Sequence, residues 1–282
     1  MSSTDAGTSI GWPLRAWFAA ELFFALSASL SIGLAPADTA RSFAWTIKPE
    51  VMAALFGAFY IALAPVMVLA LVAKRWEGVR VFVLPGMAFT LAQLIVTFLH
   101  WDRFAVGTIA FNIWFLSYLL PPPVFLGCYL WQQRVARRVP SQRGTAGFAS
   151  SNPLPRWVRV ALLALGAWFT LEALVGLFYP AYFAGSAPWK ISPLNARALS
   201  GYFLLLGLLM LSAARENDRD RVRFVSPFFV LLLPVVVLQV SRFGEQVDMT
   251  HPWVYATVAA LSAVCVLGAV LMRGSWRRAL GR

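Results

Sequence analysis

Six stretches of this chain run for about the length of a membrane crossing without one Asp, Glu, Lys or Arg: Val51 to Ala73, Val81 to Leu99, Thr108 to Trp131, Ala198 to Ala214, Phe224 to Ser241 and Pro252 to Met272. A hydrocarbon core about 30 Å thick is crossed by about 20 predominantly apolar helical residues, so each stretch predicts a transmembrane helix. Leu14 to Ala35 and Val160 to Tyr179 qualify as well, although Glu21 and Glu172 lie inside them and Arg15 sits at the edge of the first. In lipid the backbone has no water to bond to, which leaves the helix as the form such runs take. With 60% hydrophobic and 13% charged residues, against roughly 25% charged in soluble domains, the chain reads as an all-α integral membrane protein of eight helices.

The basic residues orient it. About three quarters of the 24 lysines and arginines fall in the N-terminal segment, the loops after helices 2, 4 and 6, and the tail. By the positive-inside rule both termini are cytoplasmic, and the expected location is a plasma (inner) membrane. The net charge of +12 is therefore a topology signal, and nucleic acid is not an expected partner. Ala35-Pro36-Ala37 resembles a processing site, but the preceding segment is long, carries Glu21 and recurs later in the chain, so it is read as helix 1.

That recurrence is extensive. "AWFAAELFFAL" from Ala16 matches "AWFTLEALVGL" from Ala167, setting Trp17, Phe18 and Glu21 opposite Trp168, Phe169 and Glu172. Trp45, Ile47, Pro49, Ala54, Leu55, Gly57 and Phe59 pair with Trp189, Ile191, Pro193, Ala198, Leu199, Gly201 and Phe203. Phe82, Val83 and Pro85 pair with Phe224, Val225 and Pro227, and Arg103-Phe104 with Arg242-Phe243. A four-helix unit has been duplicated: residues 1–131 form the first repeat, 132–156 a basic cytoplasmic linker and 157–282 the second. Because four is even, both copies cross in the same sense, and a pseudo-two-fold axis along the membrane normal is expected. The linker region from Arg134 to Arg159 holds six arginines and no acid, which favours anionic lipid headgroups.

The Trp-x-Ile-x-Pro motif starts helices 2 and 6. Proline suits the first helical turn, and Ser192 before Pro193 is a suitable N-cap. Trp45 and Trp189 are expected at headgroup level, with cavity lining as the alternative. Gly57 and Gly201 offer bare backbone for close helix contact.

Glu21 and Glu172 are the foremost binding candidates. A carboxylate in hydrocarbon is costly unless protonated, paired or wet, so two equivalent acids near a central axis point to proton coupling or cation binding; neutral carboxyls bonded across a helix interface are the structural alternative. Pro121, Pro122 and Pro123 break the middle of helix 4 and free the carbonyls of Ser117, Tyr118 and Leu119; broken membrane helices often line a site, which makes Tyr118 a binding candidate. At the outer ends, His100, Asp102, Arg103, Arg242, Glu245, Asp248 and His251 form a third group, with Asp102 or Glu245 as possible partners of the shared Arg-Phe pairs. Arg197, at the start of helix 6, can face an outer anionic group.

The two histidines have no metal-ligand spacing, and no nucleophile elbow, phosphate loop or zinc motif is present. Neither cofactor nor metal is expected. Three functions remain open: a small-solute or ion transporter or channel with its path at the repeat interface; a structural or assembly subunit with a protein partner or a second copy; and a membrane-embedded enzyme using the outer histidine group. Transport leads, because paired buried acids and a broken helix are costly in a mere scaffold.

Overall fold

The computed structural model describes residues 9–138, 150, 152–274 and 276. Eight helices are long and apolar enough to cross a membrane: α1 (Trp12–Leu34), α2 (Glu50–Val72), α3 (Trp76–Leu99), α4 (Ile109–Ala136), α5 (Arg156–Phe178), α6 (Pro193–Glu216), α7 (Arg219–Ser241) and α8 (Pro252–Met272). No strand occurs among the described residues. The helix containing Pro121 continues to Arg138 and α5 starts at Arg156; most of what lies between is outside the described residues.

Local chemistry sets the helix ends. Ser192 Oγ accepts from Asn195 N at 3.2 Å ahead of α6, and Thr108 Oγ1 accepts from Phe111 N at 3.1 Å ahead of α4. At the other ends, arginines cover the last carbonyls, which carry the negative pole of the helix dipole. Arg15 donates to Leu71 O and Ala73 O at 2.6 and 2.7 Å, Arg159 to Ala214 O at 3.2 Å, and Arg223 to Leu271 O and Arg273 O.

Helices α2, α3, α6 and α7 form the centre. Helix α2 packs on α1 and α7, α7 on α8, α3 on α6 and α4, and α6 on α5. The outer helices turn apolar stripes outward, such as Phe23, Leu26 and Leu30 on α1 and Leu171, Leu174 and Phe178 on α5, all exposed. Steps of three and four residues keep each stripe on one face, and an apolar face without a protein neighbour is what lipid accepts.

Gly57 brings α1 and α2 together: a Cβ there would lie 2.4 Å from Gly33 Cα. Gly201 serves a different contact, with the Gln93 amide of α3 filling the space its side chain would take. Trp45 and Trp189 are both buried against other parts of the protein. Trp45 belongs to an aromatic cluster, edge-on to Trp114 at 4.7 Å and Phe104 at 5.1 Å, with its indole N–H on Asn195 Oδ1 at 3.0 Å.

Candidate functional site

Glu21 sits near the middle of α1, roughly 13 Å along it at 1.5 Å per residue. It lines a partly open cavity of about 120 Å³ between α1, α2, α3 and α4, against roughly 10–15 Å³ of such space for one water. The cavity runs from Glu21 past Ser31 to Ser42 and Phe43 in the α1–α2 connection, so it reaches one end of the bundle. Beyond Ala28, α1 continues as a π-helical turn, Ser29–Leu34, a widening often found at functional sites.

The helix break provides another wall. Ile109–Leu119 ends just before Pro121, the first residue of the next segment, and Ser117, Tyr118 and Phe125 on either side of Leu120 all line the cavity. Phe82 and Phe125, which line the cavity, pack at tilted angles against Phe18 with ring centroids 6.2 and 6.1 Å from it.

The Tyr60 hydroxyl from α2 and the Tyr118 hydroxyl from α4 are hydrogen-bonded to each other, and Tyr202 from α6 joins both. Buried hydroxyls cost stability unless partnered; here three helices supply partners to one another. Glu21 lies close enough to Tyr60 and Tyr118 to act on them electrostatically. Its Oε1 is shielded from solvent and makes no hydrogen bond. The Trp17 indole N–H interacts with this carboxyl without reaching hydrogen-bond geometry. Compared with protein-family models, curated proteins and solved structures, the chain matches none significantly. Its chemistry is therefore read from these residues alone.

Of the residues singled out in the sequence, Glu21 and Tyr118 share this cavity. Glu172 does not line it; it is half-buried on α5. Trp45 stands behind the wall, against Trp114. Trp189 lines a separate open depression with Lys48, Glu50 and Gln246.

The arginines have structural partners. Arg242 Nη1 donates to Gly33 O at 2.7 Å and Gln239 Oε1 at 2.5 Å, and Nη2 to Leu34 O at 3.1 Å, so it caps α1. Arg197 Nε donates to Leu177 O at 3.0 Å near the end of α5, while Nη1 meets His100 Nε2 at 2.8 Å. Arg103 is 72% exposed and pairs with Asp102 at 3.1 Å. His251 Nδ1 instead accepts from Trp253 N at 3.2 Å, capping α8, so the histidines occupy different local networks. Among the described residues, no three of His, Cys, Asp and Glu gather as metal ligands.

Two features escaped the sequence. Tyr60 and Tyr202 count as apolar in a hydropathy reading, yet each is a hydroxyl in an otherwise apolar helix and so asks for a partner. Arg80 and Glu216 lie just outside the uncharged stretches but form a buried pair, Nε to Oε2 at 3.0 Å and Nη2 to Oε1 at 2.5 Å; Arg221 adds a second contact to Glu216 at 2.7 Å.

Proposed function

We propose that this chain is a transport protein or channel for a small solute or ion, with the Glu21 cavity as its site. The observation that carries the reading is a buried, unbonded carboxyl oxygen in a cavity that reaches one end of the bundle. Intramembrane acids are rare, costly and characteristically functional. A scaffold role predicts satisfied glutamates, and an outer-face enzyme predicts converging histidines; the geometry of Glu21, His100 and His251 favours neither.

The proposed architecture is two tandem repeats, 1–131 and 157–282, related by a two-fold axis along the membrane normal. Packing supports it: exchanging helices 1 to 4 with 5 to 8 turns the neighbours α1–α2, α2–α7 and α7–α8 into α5–α6, α6–α3 and α3–α4, which also pack together. The end caps follow the exchange in part. His100 stands at the sequence position matched to Gln239, and each contacts an arginine that reaches a helix end, Arg197 on the α5 carbonyl and Arg242 on the α1 carbonyls, whereas Arg103, the match of Arg242, pairs with Asp102 instead. The proposed setting is an inner membrane with cytoplasmic termini and the Arg134–Arg159 region near anionic lipid, in keeping with arginine caps on the ends of α2, α6 and α8.

Transport is tested with purified protein in liposomes carrying pH-sensitive and potential-sensitive dyes. A gradient-driven flux absent from protein-free vesicles, and reduced when Ile113→Trp fills the cavity, is expected. No flux under any imposed gradient contradicts the reading.

A further inference from the structure

Apart from the Tyr60 and Tyr118 hydroxyls, which are bonded to each other, the hydroxyls of the Glu21 cavity offer acceptors and not donors. Every Ser and Thr lining it spends its hydroxyl hydrogen on a backbone carbonyl: Ser27 on Phe23 O at 2.8 Å, Ser31 on Ala28 O at 3.3 Å, Ser42 on Asp38 O at 2.9 Å, Thr90 on Gly86 O at 3.1 Å and Ser117 on Trp114 O at 2.7 Å. The Trp114 indole N–H is likewise spent, on Thr97 Oγ1 at 2.9 Å. A hydroxyl whose hydrogen is engaged has only lone pairs left to present. To these the Glu21 carboxyl adds an oxygen without a partner. No Lys, Arg or His is among the described residues lining the space, so no cationic side chain on the wall balances a carboxylate.

The remaining surface is aromatic, with Phe24, Phe43, Phe89, Trp114 and Tyr118 around the space. Aromatic faces attract cations, Trp most strongly, and most of all where water is excluded. An anion would meet unshared lone pairs and ring faces, both repulsive. A neutral apolar ligand would leave the carboxyl as costly as before.

We propose that this cavity binds a compact organic monocation, an amine or quaternary ammonium, with Glu21 as its counter-ion and the aromatic walls as its second contact. The inference rests on the transport reading of the same cavity and names the class of its solute. Acceptor-rich polarity, an acid with no cationic partner on the wall and ring faces together select positive charge on a small apolar body.

The test is calorimetric titration of the full chain in lipid nanodiscs with choline, with methylammonium, and with dimethylbutanol, the neutral carbon isostere of choline. Choline is expected to bind at least roughly tenfold more tightly than the isostere, to fall to the isostere's level in Glu21→Gln, and to be unaffected in Glu172→Gln. Equal binding of choline and the isostere overturns the proposal, as does undiminished choline binding in Glu21→Gln, or no binding of either cation to the wild type. The wild-type comparison with the isostere stands even if Glu21→Gln folds poorly. A flux of protons or another solute without cation binding refutes this inference and leaves transport intact; cation binding without flux does the reverse.

Discussion

Arg80 on α3 and Glu216 at the end of α6 form a bidentate ion pair whose side chains are 5% and 3% exposed, joining a helix of the first half of the chain to one of the second. Two charges leave water at a cost of several kcal/mol each, and such a pair holds only while both members and their hydrogen bonds are present. Arg221 shares the same carboxylate.

Glu216→Gln removes the carboxylate that both arginines share. It is expected to cost about 3–5 kcal/mol, the range for breaking a buried pair from one side, read as a lower thermal midpoint in detergent. Arg221→Met keeps the Arg80 contact and is expected to cost less. A Glu216→Gln protein as stable as the wild type contradicts a tightening role for this pair.

The α1–α2 contact predicts a contrast between two glycines. A Cβ on Gly57 meets Gly33 Cα at 2.4 Å and Gly33 N at 2.7 Å, backbone atoms that cannot rotate aside, whereas a Cβ on Gly127 meets nothing within 4 Å. Gly57→Ala is expected to destabilise by about 1–3 kcal/mol or more through overpacking. Gly127→Ala gains up to about 1 kcal/mol of helix propensity. Thermal melts of the two variants side by side decide this; equal midpoints contradict the close approach.

His100 predicts a pH effect of definite sign. A guanidinium only donates, so the 2.8 Å contact from Arg197 requires His100 Nε2 to be an unprotonated acceptor. Burial first, then the Arg197 charge, hold the His100 pKa below the ordinary 6.5, with Asp102 pulling the other way. A lowered folded-state pKa means that the unfolded chain takes up the proton first. This contribution to stability is therefore complete above about 6.5 and is lost as pH falls below that value towards the folded-state pKa. Between about pH 7.5 and 5.5, the midpoint of the wild type should fall more than that of His100→Gln, which can still accept from Arg197. Parallel slopes contradict the assignment.

What the sequence shows of this fold follows from which signals are local. Long apolar runs, six of them free of charge, mark eight helices, Ser192 marks a cap, and three prolines mark the break beside Tyr118, because each acts on its own neighbours. Charge was a poorer guide to helix ends: α3 begins at Trp76 and α6 continues to Glu216, since Arg80 and Glu216 neutralise each other inside the protein and need no water. Repetition was a poorer guide to the site. Glu21 and Glu172 stand in the same local motif, yet the position matched to Tyr60 is Leu204, and only Glu21 lines the tyrosine-bearing cavity. Which residues surround an acid is a tertiary fact that a repeated run of amino acids does not carry.

The most direct measurement compares Glu21→Gln with Glu172→Gln in sealed liposomes under the same imposed gradient, each checked for monodispersity and wild-type thermal stability. The account predicts that Glu21→Gln lowers the flux at least roughly tenfold, more than 1.4 kcal/mol in the barrier, while Glu172→Gln transports much as the wild type does. Equal loss in both variants, or wild-type flux in Glu21→Gln, contradicts a site built around Glu21 alone.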